Sequence, residues 1–254
     1  MTSAADSYNS VEWRSEALSP LFKTSEALVP PLTLLCLRKL LSISSAEELK
    51  SDIVSFLPAH LRRDLLHWTA VHSPLANDRL FPLHEPDGHA AGELIVVGPA
   101  ASLPNDHFVR PSTSSSSISS TLWEEADSWD SDDMVDASSL HTFVLLSARL
   151  TVSTLLTLPH TITHMALINL PVAVSLYRLP GICPLLVFLD LSYNKWLGDS
   201  ESHATAKDTG SKMLEKLDWT RWMSLKTLVL RECHVTAWLL EKVNKGRWDV
   251  QVIL

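Results

Sequence analysis

One spacing governs this chain. Leu186, Leu189, Leu191 and Asn194 stand in the frame L-x-x-L-x-L-x-x-N, and Trp196 fills the apolar slot that follows. The frame returns at Leu225, Leu228, Leu230 and Cys233, with Val235 in the last slot. Ile162, Met165 and Leu167 keep its apolar positions without the asparagine, as do Leu140, Phe143 and Leu145 before them. The four frames start at 140, 162, 186 and 225, spaced by 22, 24 and 39 residues. The long gap is one 24-residue period with 15 residues added, and the polar stretch 198–210 supplies the addition. Self-similarity at such a period means one unit repeated, each too small to bury its apolar side alone, so that neighbours must stack.

Within a unit the three leading apolar positions point inward from a short strand that lies parallel to its neighbours. Asn194 or Cys233 then turns the chain and bonds backbone groups left free inside the turn. The stretches 172–178, 211–222 and 236–244 read as return helices on the outer side. Residues 250–254 read as a closing strand, and Glu93–Val97, after the turn at 85–88, as a candidate first strand. The pattern resembles the leucine-rich repeat. That resemblance implies an α/β fold: a short solenoid of parallel strands with outer helices, over residues 138–254. In such solenoids the strand face between the buried positions binds partners. Here it would carry His164, Ile168, Phe188, Asp190, Ser192, Val229 and Arg231, an apolar stripe flanked by charge. The alternative is that the helical module at 30–75 or the insertion at 104–137 folds back over that stripe and no partner uses it.

Residues 30–75 read as a small helical module. Pro30 and Pro31 precede a helix in which Leu32, Leu35, Cys36, Leu40 and Ile43 fall on one stripe, proline being suited to a first turn. Ser45 and Glu48 make a capping box that opens a second helix. Leu57-Pro58 starts a third, with Leu61, Leu65 and Trp68 on one side. The run from Pro31 through Leu32 and Cys36 to Leu40 resembles an Elongin BC-box. The run Leu57, Pro58, Leu61, Leu65 resembles a cullin box. This order is found in the von Hippel–Lindau and SOCS-box substrate receptors of cullin ubiquitin ligases, and an F-box-like module binding a Skp-type adaptor is a related variant. The resemblance implies helix-in-groove docking, with Leu32 in a pocket of Elongin C and Cys36 and Leu40 one and two turns on. Leu57, Pro58 and Leu61 would join them in binding the adaptor and cullin. The competing expectation is that these helices only cap the repeats.

The net charge of −8 is local. Seven acids without a base lie between Trp123 and Asp136, which leaves about −1 for the rest of the chain. A serine-rich run precedes them. Residues 104–137 therefore read as a disordered insertion, and 76–103 as a connecting segment. The charge is wrong for neutralising phosphates, so no nucleic-acid partner is expected. Residues 1–29 read as a flexible polar lead-in without a secretory signal, and the apolar stretch 165–191 is interrupted by Pro171, Pro180 and Pro184, a poor membrane span.

Little points to catalysis. GxSxG, HExxH and glycine-rich phosphate loops are absent, and the three cysteines form no CxxC pair, which suits a reducing compartment. His160 with His164, and His84, Glu85, Asp87 and His89 on a turn, are the closest approaches to a metal set, and no cofactor is expected. The chain is thus expected to be a non-enzymatic interaction adaptor in the cytoplasm or nucleus, with an adaptor subunit, a cullin and a substrate as partners.

Overall fold

Short, nearly continuous apolar runs make strands that are buried on both faces. The computed structural model describes residues 10–22, 31–85, 87–109, 139–197, 214, 216–233, 237–246 and 249–254. These form an α/β protein built on a sheet of six parallel strands. The strands are β1 (Glu93–Val97), β2 (Thr142–Leu146), β3 (His164–Ile168), β4 (Phe188–Asp190), β5 (Thr227–Val229) and β6 (Gln251–Ile253). They neighbour one another in sequence order, without a crossover, and the sheet does not close. Glu93, Thr142, His164, Phe188, Thr227 and Gln251 share the first row of the register.

The inward row is dry. Leu94, Val96, Phe143, Leu145, Met165, Leu167, Leu189, Leu191, Leu228 and Leu230 are all fully buried. Past the strand ends, the same register aligns Ser147, Asn169, Tyr193 and Glu232, and all four take left-handed φ angles, +53°, +49°, +62° and +54°. A left-handed turn at one row is what lets successive strands leave the sheet along the same path. Asparagine tolerates it readily, and the larger side chains accept it only because their surroundings fix them. Asn194, fully buried, bonds inside the turn: its Nδ2 donates to Leu167 O and Leu191 O at 2.7 Å each, and its Oδ1 accepts from Leu170 N–H at 2.8 Å. Cys233 donates from Sγ to Leu191 O at 3.3 Å. Both residues take the turn role expected of them. The indole of Trp222 donates to Cys183 O at 2.8 Å, tying two neighbouring return segments together.

The helical part begins earlier than the sequence suggests. α1 (Val11–Leu18) is capped by Ser10, whose Oγ accepts from Trp13 N–H at 3.1 Å. Its Ala17 and Leu18, and Phe22 beyond it, belong to the core. Reading this stretch as a flexible lead-in is corrected: Ala17, Leu18 and Phe22 anchor a helix with almost no apolar periodicity of its own. α2 (Leu32–Ile43) follows Pro31, and Ser45 and Glu48 make both bonds of the capping box that opens α3 (Ala46–Glu48). α3 runs on through a π turn and a 3-10 turn to Phe56. α4 (Ala59–His72) and α5 (Asn77–His84) complete the module, and α5 tolerates Pro82 within a helix of two turns. In the return segments lie α6 (Val152–Leu156), α7 (Leu179–Ile182) and α8 (Ala237–Val243).

Residues 104–109, expected in the disordered insertion, form an ordered turn. His107 bonds Gly88 O at 3.0 Å and Phe108 stands edge-on to Phe143, anchors that composition does not reveal. The serine-rich run, the acidic tract and the polar stretch 198–210 lie outside the described residues. No helix among the described residues is long and apolar enough to cross a membrane.

Candidate protein-binding surfaces

α2 carries two apolar faces, and only one is used within the fold. A helical residue turns the chain by about 100°, so Leu34, Leu37 and Leu41 form one stripe and Leu32, Cys36, Leu40 and Ile43 another. The first is the anchor. Leu37 and Leu41 are buried, Leu34 packs against the core, and Arg38 lies 3.8 Å over the ring of Trp68 on α4. Arg79 fastens the end of the helix by donating to Leu41 O and Ser44 O at 2.9 and 3.1 Å. The second stripe faces outward: Leu32 is 76% exposed, Leu40 40% and Ile43 64%, and Cys36 is exposed with them. In the same module Phe56 is 83% exposed. The other residues expected at the adaptor interface sit differently. Pro58 is exposed at the start of α4, whereas Leu57 and Leu61 are half-buried and packed against the core.

The strand face is not free. Ile168, Phe188, Asp190, Ser192 and Val229, expected to be exposed there, are all buried, while His164 stays exposed and Arg231 is half-buried. The expectation of an open face is corrected, and α1 and α4 are the reason. α4 packs on β1, where Leu66, Ala70, Leu75 and Leu80 close over Ile95 and Val97. At the other end of the sheet α1 meets the turns after β4 and β5. The ring of Trp13 stands edge-on to Tyr193, and Arg231 donates to Glu16 O at 3.2 Å. Arg14 joins α1 to α4 by donating from Nε to Val71 O at 2.7 Å. Phe22 stacks at 4.0 Å on His67, which pairs with Glu93 at 2.5 Å, so the end of α1, α4 and β1 converge on one imidazole.

Burial perturbs the groups trapped beneath. It pushes the Asp190 carboxyl up to about 6, against the pull of its bond from Ser192 N–H and of Arg231. The Cys183 and Cys233 thiols are likewise driven by burial to about 12 and about 11. Such thiols are inert packing groups. His84, fully buried with neither ring nitrogen partnered among the described residues, is driven down to about 3 by burial and by His107, His89 and Arg62. Beside it Glu85 pairs with Lys50, and His89 Nδ1 accepts from Gly92 N–H at 3.2 Å. Among the described residues no three His, Cys, Asp or Glu side chains gather to hold a metal ion.

The class defined by this geometry is an α/β protein with a sequentially ordered parallel sheet, a helical module folded across it, and one apolar helix stripe left outside. No protein-family model, no curated protein and no solved structure matches the chain.

Proposed function

We propose that this chain is a non-enzymatic protein–protein interaction adaptor, the substrate receptor of a cullin-type ubiquitin ligase. In this reading the sheet belongs to a short leucine-rich repeat solenoid, which the sequential strand order, the aligned left-handed turns and the bonding of Asn194 support. The helical module binds Elongin C or a Skp-type adaptor, and through it a cullin, in the cytoplasm or nucleus. The observation that carries the reading is the outward stripe of Leu32, Cys36 and Leu40 on α2, held in place by Leu37 and Leu41 on the opposite side. A helix so anchored is ready to enter a partner's groove without reorganising its own core. The protein's contribution to ubiquitin transfer is proximity: it holds a substrate near the activated ubiquitin that its partners carry.

A second reading is favoured by a different observation. α4 packs on β1, the edge strand of the sheet, as an end cap of a repeat stack would. A plain scaffold would need the module for nothing more. The two readings separate in a pull-down with purified Elongin C and a Skp-type adaptor on the immobilised full chain. A receptor retains one of them, and the double variant Leu32→Ala/Cys36→Ala loses it while unfolding at the same temperature. Retention of neither by the native chain leaves the cap as the module's role.

A further inference from the structure

The covered strand face leaves open where a substrate would dock, and the return-segment side of the sheet carries a surface suited to it. Tyr177 and Arg178 end the 3-10 turn Leu176–Arg178 and lead into α7. Tyr177 is 49% exposed, and the Arg178 guanidinium lies 5.5 Å from its ring and donates to its hydroxyl at 3.2 Å. Gly181, three residues after Arg178, shares its side of the turn, and the Arg221 guanidinium reaches to 3.9 Å of where a Cβ on Gly181 would be. The bond and the charge of Arg178 hold the Tyr177 phenol below its ordinary value, with a smaller pull from the charge of Lys216. All three cations are exposed. Asp218, three residues before Arg221, is turned to its own chain, accepting from Thr220 N–H and hydroxyl.

An apolar rim adjoins these charges. The bond from Trp222 to Cys183 O, and those from Lys226 and Thr227 N–H to Val187 O, run the two segments side by side. On the segments so aligned, Leu185 is 51% exposed and Met223 79% exposed. We propose that Arg178, Lys216 and Arg221, with Tyr177, Leu185 and Met223, form the docking surface for an acidic peptide segment of a partner protein, one that carries an apolar side chain among its acids. Arginine forks match carboxylate and phosphate oxygens alike, so the acid is supplied by Glu and Asp or by a phosphorylated residue. This names the substrate class for the receptor reading and rests on it.

The test is fluorescence anisotropy of the full chain with a short fluorescein-labelled peptide repeating Glu-Glu-Leu, and with the same peptide carrying phosphoserine in place of the glutamates. The native chain binds, binding weakens as salt is raised, and the tighter of the two peptides identifies the source of the charge. Arg178→Glu/Arg221→Glu weakens binding by about tenfold or more, while Arg149→Glu/Lys245→Glu, an equal change of net charge at exposed sites elsewhere, leaves it unchanged. Equal loss in both variants, or no binding by the native chain, overturns the proposal. Binding that appears only after the seven acids between Glu124 and Asp136 are replaced by amides also overturns it, by assigning the patch to the chain's own acids. Adaptor pull-down is unaffected by the Arg178/Arg221 variant, and peptide binding by the Leu32/Cys36 variant, so the failure of either reading is seen separately.

Discussion

The indole of Trp13 meets the ring of Tyr193 edge-on, with centroids 5.4 Å apart across 180 residues of sequence. This contact joins the first helix of the chain to the turn after β4, and with the neighbouring Arg231–Glu16 bond it holds α1 over the strand face. Edge-on aromatic pairs add about 0.5–1.5 kcal/mol to what their burial gives. Leu18, fully buried on the same helix, is the stronger anchor. Leu18→Ala is expected to lower stability by about 2–4 kcal/mol in chemical unfolding. An unchanged midpoint would mean that α1 is not part of the core.

The two faces of α2 give opposite expectations. Leu37→Ala and Leu41→Ala each remove buried methyl groups and should cost about 2–4 kcal/mol. Leu32→Ala, on the exposed stripe, should stay within about 0.5 kcal/mol of the native chain. Thermal and urea unfolding of the three variants checks this. A large loss for Leu32→Ala would show the stripe to be packed within the molecule, as a cap requires.

Asn194 satisfies three backbone groups with one side chain. Replacing it with leucine, of similar size, takes the side-chain partner from the Leu170 N–H and the Leu167 carbonyl and leaves Leu191 O with only the thiol of Cys233. The expected loss is about 2–4 kcal/mol, with the greatest rise in amide exchange at Leu170. Exchange at Leu170 that stays slow would contradict the assigned bond.

Two buried titrations act in opposite directions. His84 has its folded value driven down to about 3, so the unfolded chain takes up a proton that the folded chain refuses. The stability it contributes is present above its ordinary value of 6.5 and is lost as pH falls toward 3. His84→Leu should flatten the acid limb of a stability–pH curve. Asp190 is raised from 3.8 to about 6, so its contribution is fully present below the ordinary value and lost as pH rises through about 6. Asp190→Asn should therefore gain on the order of 2 kcal/mol at neutral pH and almost nothing near pH 4. A variant less stable than the native chain at neutral pH would show that the charge of Asp190 is needed by the fold.

What the sequence could reveal follows from the range of the contacts involved. The starts at 140, 162, 186 and 225 each precede a strand by two residues, because the frame is local and its apolar positions are all inward. Asn194 and Cys233 were legible for the same reason. Glu93–Val97 was readable from a short apolar run beside a turn. α1 was not, since Trp13, Ala17, Leu18 and Phe22 gain their meaning only from Tyr193, His67 and other residues far along the chain. The fate of the strand face was hidden with it: alternation tells which residues share a face, and never what lies over that face. On α2 the sequence offers two apolar stripes, and local spacing cannot choose which is buried. The basic residues around Tyr177 carry no spacing signal, because Arg221 nears Gly181 only across neighbouring return segments.

Cys36 offers the most direct measurement of the central claim. It is the exposed thiol on the α2 stripe, whereas Cys183 and Cys233 are held down by burial and raised pKa. Alkylation of the native chain, followed by mass spectrometry, should modify Cys36 well before the other two. Adding saturating Elongin C or Skp-type adaptor should slow Cys36 by about tenfold or more when the cognate one binds, with Cys183 and Cys233 unchanged. If Cys36 reacts at the same rate with either adaptor present, the stripe is not their docking surface and the receptor reading falls.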